Sequence, residues 1–299
     1  MPKRKDPERE LDEGSRRPRE LARRAGRHVA ARFARAKASA PPPVAPASHV
    51  CVVRAPRTPP HPHPIGSELT VATYNVHRWT GLNGRGDPDP ARAAFVISEL
   101  GADVIALQEV VRPLDAEDPL ERLADALGLH LAFAATRTHR QGELGNAILA
   151  RWPIPLVSTL DLSFSRLEKR LAVAARFEAS TGTIGVVATH LALVDRTRHQ
   201  QVQSLLEHPQ LCSGPTLLLG DMNAWRQCKA TKALDRALGA HDNHAWPASF
   251  PAARPVLALD RIYARGARIV EIHAHDSLAA RRASDHLPVV ARVELSRRA

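Results

Sequence analysis

From Glu68 onward the chain is built of short apolar runs that end in, or begin from, residues able to do chemistry. LTVATY (69–74) runs into Asn75, DVIAL (103–107) into Gln108 and Glu109, and IGVVAT (184–189) into His190. TLLL (216–219) runs into Gly220, Asp221, Met222 and Asn223, and Asp285 and His286 stand immediately before LPVVARV (287–293). Short runs rich in Val, Ile and Leu read as buried strands. A carboxylate or imidazole at the end of such a strand is costly unless something pairs with it. One ending of this kind is an ordinary turn. Several together, drawing on acids, amides and imidazoles, imply a single polar site at one rim of a sheet sandwich.

Between these runs lie helical stretches opened by proline or closed by glycine: Pro90–Leu100 before Gly101, Pro119–Leu127 before Gly128, Arg196–Leu206, and Ala230–Leu238 before Gly239. Further strands are expected over 146–150, 156–162, 171–177, 257–264 and 269–274. Strands outnumber helices, and helices separate some of them. The expected class is α/β: two packed sheets with helices outside, in one domain.

Residues 1–67 have a different texture and read as a basic, Pro-rich disordered tail and linker, with a short helix over 21–36, leaving 68–299 as the catalytic domain. Residues 1–66 hold 15 of the 42 Lys/Arg and 6 of the 31 Asp/Glu, a net +9. The remainder is only +2, so the basicity sits in the tail. Such a tail can bind polyanions nonspecifically, whether nucleic acid or anionic phospholipid. The near-neutral body gives no electrostatic case for nucleic acid. Cys51, Cys212 and Cys228 are odd in number and lack a CxxC spacing, which suggests neither disulfides nor a zinc site. There is no signal-peptide-like or membrane-spanning run, so the expectation is a cytoplasmic monomer, or one peripheral at a membrane.

The segments TYNVH (73–77), ALQEV (106–110), GNAILAR (145–151), ATHL (188–191), GDMNAW (220–225), LDRIYAR (259–265) and SDHLPVVARV (284–293) resemble, in order, the motifs of the endonuclease/exonuclease/phosphatase (DNase I-like) superfamily. The resemblance covers roughly residues 68–295. It implies a four-layered α/β sandwich and Mg²⁺-dependent hydrolysis of a phosphoester, with Mn²⁺ able to substitute. Glu109 is the expected direct metal ligand, because Mg²⁺ takes few carboxylates alongside water and substrate oxygens. Asn75 is expected beside it, with Asp285 at the metal or its water shell. Asp221 and Asn223, two residues apart on an extended segment, face the same way and can share the water proton and a phosphate oxygen. His286 and Asp260 form an expected dyad in which the carboxylate fixes the imidazole. His190 is a second phosphate contact. Asn146, Arg78, Arg85 and Arg198 are expected substrate-binding residues.

The expected activity is that of a phosphodiesterase acting by metal-assisted in-line attack of water, with nucleic acid as substrate (an endo- or exonuclease). The alternative substrate is a phospholipid or another small phosphoester. A catalytically inactive binding module ranks last, because no ligand of the motif set is missing.

Overall fold

The structure is a computed structural model that describes residues 51–59, 64–85, 87–114, 117–164, 168–239 and 245–295. The tail over residues 1–50, with its expected helix over 21–36, lies outside the described residues.

The apolar runs form two mixed sheets. One has seven strands in the order β1 (Cys51–Arg54), β4 (His130–His139), β5 (Gly142–Ala150), β3 (Val104–Arg112), β2 (Glu68–Asn75), β12 (Val289–Leu295) and β11 (Ala267–Ala274). The other has five, in the order β10 (Asp260–Arg265), β9 (Thr216–Asp221), β8 (Gly182–His190), β7 (Leu171–Ala179) and β6 (Leu156–Asp161). Strands β2 and β3 are parallel, as are β8 and β9, and the remaining neighbours are antiparallel.

Alternation along each strand assigns side chains to layers. Val71, Ala106, Ile148, Val173, Val186 and Leu219 meet between the sheets. Ala72, Ile105 and Leu149 face outward, where α1 (Pro90–Glu99) and α2 (Pro119–Ala126) cover them with Ala93, Val96, Ile97, Leu120 and Leu123. On the other sheet, Ala174, Val187 and Leu218 are covered by α3 (Asp195–Glu207) and α5 (Lys229–Leu238) through Val202, Leu205, Leu234 and Leu238. The result is helix, sheet, sheet, helix: the four-layered α/β sandwich. Two short helices, α4 (Pro209–Cys212) and α6 (Ala280–Ala283), sit in connections. Among the described residues, no helix is long and apolar enough to cross a membrane.

The sheets take up part of the stretch expected to be linker. Cys51–Arg54 pairs antiparallel with Leu131–Ala134 of β4, and Ile65 is fully buried and bridges to Ala179. Prolines flank both places in the sequence and hide them, yet β4 leaves an edge free for a four-residue strand.

Candidate active site

The parallel pairs β2/β3 and β8/β9 bring their C-terminal ends to one rim. Asn75, His190 and Asp221 therefore arrive together at the ends of their strands, and Gln108 and Glu109 join them where the pairing of β3 with β2 stops. Asp260 starts β10 opposite Asp221 in register, and Asp285 and His286 lie just ahead of β12. Gly220 is needed for this convergence: its φ is 156°, and an added Cβ would lie 1.9 Å from the Thr189 carbonyl oxygen.

One half of the site is a closed, buried network at the ends of β8, β9 and β10, which His286 enters from just ahead of β12. His286 Nδ1 lies 2.7 Å from Asp260 Oδ2, and that oxygen also accepts from Ser249 Oγ at 2.6 Å. His286 Nε2 is 3.7 Å from Asp221 Oδ2, the same oxygen that accepts from Asn75 Nδ2 at 3.1 Å and lies 3.3 Å from His190 Nε2. Asp221 Oδ1 accepts the backbone N–H of Asn223 at 2.9 Å. Asn223 adopts a left-handed φ of 49° and donates its side-chain amide to the Leu191 carbonyl.

Burial and charge push the two histidines apart. Burial pulls His286 down, but the carboxylates of Asp260, Asp221 and Asp285 outweigh it and hold the ring well above the ordinary histidine range. His190 is driven well below that range by burial, then by Arg170 and His286. One imidazole is thus a cation and the other neutral. Burial, with Asp260 adding, pushes Asp221 up to about 6 against the opposing pull of His286, the Asn223 N–H and Asn75. Ligand atoms of Asp221, Asp260 and His286 lie within 4.8 Å of one another, a spacing that suits a metal ion. The His286 cation stands between the two carboxylates and offsets part of their charge.

The other half, on the seven-stranded sheet, is more open. Leu107 pairs with Ala147 and Val110 with Gly145, so Gln108 and Glu109 both face Asn146 across a β-bulge. Glu109 takes a φ of 54°, and the bulge turns its carboxylate into the cleft, a common use of this irregularity. His77, Arg78 and Trp79 form a left-handed turn, with φ of 45°, 57° and 63°. Left-handed backbone costs L-residues about 1–2 kcal/mol each. The turn is held by the buried Trp79, whose Nε1 donates to the Val111 carbonyl at 2.8 Å, and by the His77 N–H donating to Asn75 Oδ1 at 3.0 Å. It places Arg78 Nε 3.4 Å from Glu109 Oε2 and His77 Nδ1 3.2 Å from Asp285 Oδ1. Asp285 is pushed up mainly by burial, and Glu109 adds to the shift against His286 and His77, so the two carboxylates sit close enough to repel.

Of the other expected substrate-binding residues, one is placed differently from the sequence reading. Arg198 is a correction: it is buried, and its Nη1 donates to the carbonyls of Ala192 and Asn223 at 2.8 and 2.7 Å, with Asp195 taking Nη2. It falls on the same buried helical stripe as Gln201, Val202 and Leu205, which turns it inward. From there it ties together the loops that follow His190 and Asp221. Asn146 is buried and donates to the Leu171 carbonyl of the opposite sheet at 2.9 Å. Arg85 is exposed on the loop after the left-handed turn. Ser249, Ser284, Phe250 and Arg170 were not singled out from sequence. Ser284 Oγ donates to the Asn75 carbonyl at 2.6 Å, and the Phe250 ring lies 4.9 Å from that of His286. Only Ser284, inside the SDH motif, carried a sequence signal.

Residues 72–286 match the model of the Endonuclease/Exonuclease/phosphatase family. The chain is 34% identical over 245 residues to the Escherichia coli K12 protein named "Uncharacterized protein YbhP", covering 75% of this chain and 96% of that one. An endonuclease/exonuclease/phosphatase from Beutenbergia cavernae superposes with a TM-score of 0.61 at 23% identity, over 77% of this chain and 72% of the other. The human nocturnin catalytic domain with bound sulfate gives 0.60 at 17% identity, over 83% and 97%.

Proposed function

This chain belongs to the endonuclease/exonuclease/phosphatase family, and from that premise we propose that it hydrolyses a phosphodiester by divalent-metal-assisted in-line attack of water. Members of the family are hydrolases of phosphoesters and are generally dependent on a divalent metal. The observation that carries the reading is a division of charge across one cleft. Glu109 and Asp285 stand as neighbouring carboxylates on one side, with the His286 cation, clamped by Asp260, on the other.

Glu109, Asp285 and the amide oxygen of Asn75 suit a hard cation. All are oxygen donors, Mg²⁺ takes one or two carboxylates readily, and the mutual repulsion at Asp285 is what a bound cation would relieve. Mn²⁺ would serve in its place. When bound, the cation supplies electrostatic stabilisation for charge developing on the phosphoryl and leaving oxygens.

The chain's own residues do the rest. Asp260 fixes His286 through Nδ1, leaving Nε2–H to donate to a phosphoryl oxygen. His190, neutral, offers a second contact that leaves no buried charge behind after release. Asp221, raised to about 6, is ionised at neutral pH and basic enough to accept the proton of the attacking water. The Asn223 N–H and Asn75 Nδ2 hold that carboxylate in place. Arg78 meets the phosphate beside Glu109.

Nucleic acid is the first substrate reading. The near-neutral balance of residues 67–299 keeps a phospholipid or small phosphoester as the second. A screen with added Mg²⁺ or Mn²⁺ against abasic DNA, plain DNA, RNA, glycerophospholipids and bis-p-nitrophenyl phosphate separates them, with Glu109→Gln as control. Hydrolysis of at least one phosphodiester, lost in the variant, is the expected result. Hydrolysis of none, or equal rates in the variant, contradicts the reading.

A further inference from the structure

The hairpin formed by β4 and β5 carries a concentration of charge that the chemistry above does not use. Its strands pair from His130 with Ala150 to His139 with Gly142, so the tip at Arg140 and Gln141 extends past the bulge where Asn146 faces Glu109. The tip is pressed against the end of β3: Gly142 takes a φ of 138°, and an added Cβ would lie 1.8 Å from the Arg112 carbonyl oxygen. Arg137 and Arg140 are exposed. The hairpin's own acid, Glu143, is engaged by Arg112 at 3.7 Å, and among the described residues no carboxylate pairs with either arginine.

Arg137, Arg78, Arg140 and Glu109 all lie near enough to His139 to act on its charge: partial burial pushes the ring down first, followed by Arg137, Arg78 and Arg140, with Glu109 opposing them. Glu109 already has Arg78 as partner. The two hairpin arginines are therefore an excess of positive charge at the tip, while residues 67–299 as a whole are nearly neutral.

We propose that Arg137 and Arg140, with Arg78 at the inner edge, form an anion subsite that takes a phosphate next to the scissile one in a phosphodiester strand. Guanidinium groups match a phosphate by paired N–H donors, and neither arginine has a carboxylate partner to give up among the described residues. The subsite rests on the phosphodiesterase reading, since the scissile group has to lie beside Glu109 for a neighbouring phosphate to reach the tip.

The test is fluorescence anisotropy of a 3′-labelled, 5′-phosphorylated oligothymidylate in EDTA, where turnover is not needed. The full-length wild type is compared with Arg137→Ala/Arg140→Ala, and with Arg140→Gln as a milder change at the tip. The expected result is binding at least about tenfold weaker in the double variant, with the slope of log K against log salt reduced by about 1 to 2. Unchanged affinity and slope, or no binding by the wild type, overturns the proposal. So does binding to anionic phosphatidylglycerol vesicles that is lost in the variant while oligonucleotide binding is retained. In a metal-supplemented assay, the kcat/KM ratio of pTpT to TpT should fall about tenfold in the double variant. If wild type cleaves neither dinucleotide, the hydrolytic reading fails for that substrate class, and the binding result still decides the subsite.

Discussion

The two halves of the cleft are built on opposite principles. Around the ends of β8, β9 and β10, Asp221, Asp260, His190 and, entering from just ahead of β12, His286 are all nearly inaccessible to solvent, and the two carboxylates share the one His286 cation. On the seven-stranded sheet, Glu109 and Asp285 keep 24% and 26% of their side-chain surface, and they repel one another. Backbone strain is also concentrated there, in the left-handed turn His77–Trp79 and the bulge at Glu109. On the reading proposed above, the buried network, already organised, would handle protons and phosphate, and the open pair of carboxylates on strained backbone would hold the metal.

The comparison breaks most readily at Glu109. Glu109→Gln keeps the shape and removes the charge, and turnover is expected to fall by about a hundred- to a thousandfold, the scale on which single electrostatic groups in active sites act. Mg²⁺ is expected to raise the melting temperature of chelator-stripped wild type but not that of the variant. His286→Ala comes next, with at least about a hundredfold loss of turnover and an unchanged circular dichroism spectrum. A near-wild-type rate there would remove the buried half from the mechanism.

Two smaller effects sharpen the contrast. Trp79→Ala should destabilise the protein by about 3–5 kcal/mol, because a buried indole and its hydrogen bond to Val111 are lost together. Denaturant titration reads this, and a change below about 1 kcal/mol would mean the left-handed turn is not held by Trp79. Ser249→Ala should lower kcat by about tenfold or less and leave metal affinity alone, since the Ser249 hydroxyl bonds Asp260 behind His286. An equal loss in metal affinity would show that the halves are not separable.

Much of this was legible in the sequence, for identifiable reasons. Apolar runs that lead into Asn75, Glu109, His190 and Asp221 announce a rim site, because a polar residue closing a buried run has to be accommodated. The strands β2, β3, β8 and β9 follow from β-branched and leucine-rich runs. Strand β4 was missed because HLAFAATRTH is rich in alanine, which carries no strand preference, and its status is decided by pairing with β5. Arg198 misled because a charged residue suggests solvent, although its i, i+3, i+4 relation to Gln201 and Val202 already placed it on the buried stripe. The left-handed turn was illegible: His-Arg-Trp has no local preference for it, and it persists through Trp79, Val111 and Asn75, which are distant in sequence or supplied by the site itself.

The central claim is that Asn75, Glu109 and Asp285 hold a divalent cation across from His286. The most direct measurement is hydrolysis of bis-p-nitrophenyl phosphate by chelator-treated protein, followed by stepwise addition of Mg²⁺ or Mn²⁺. The account predicts no turnover in EDTA and recovery that saturates with metal in wild type but not in Glu109→Gln. Full turnover in the chelator, or the same metal response in the variant, would contradict it.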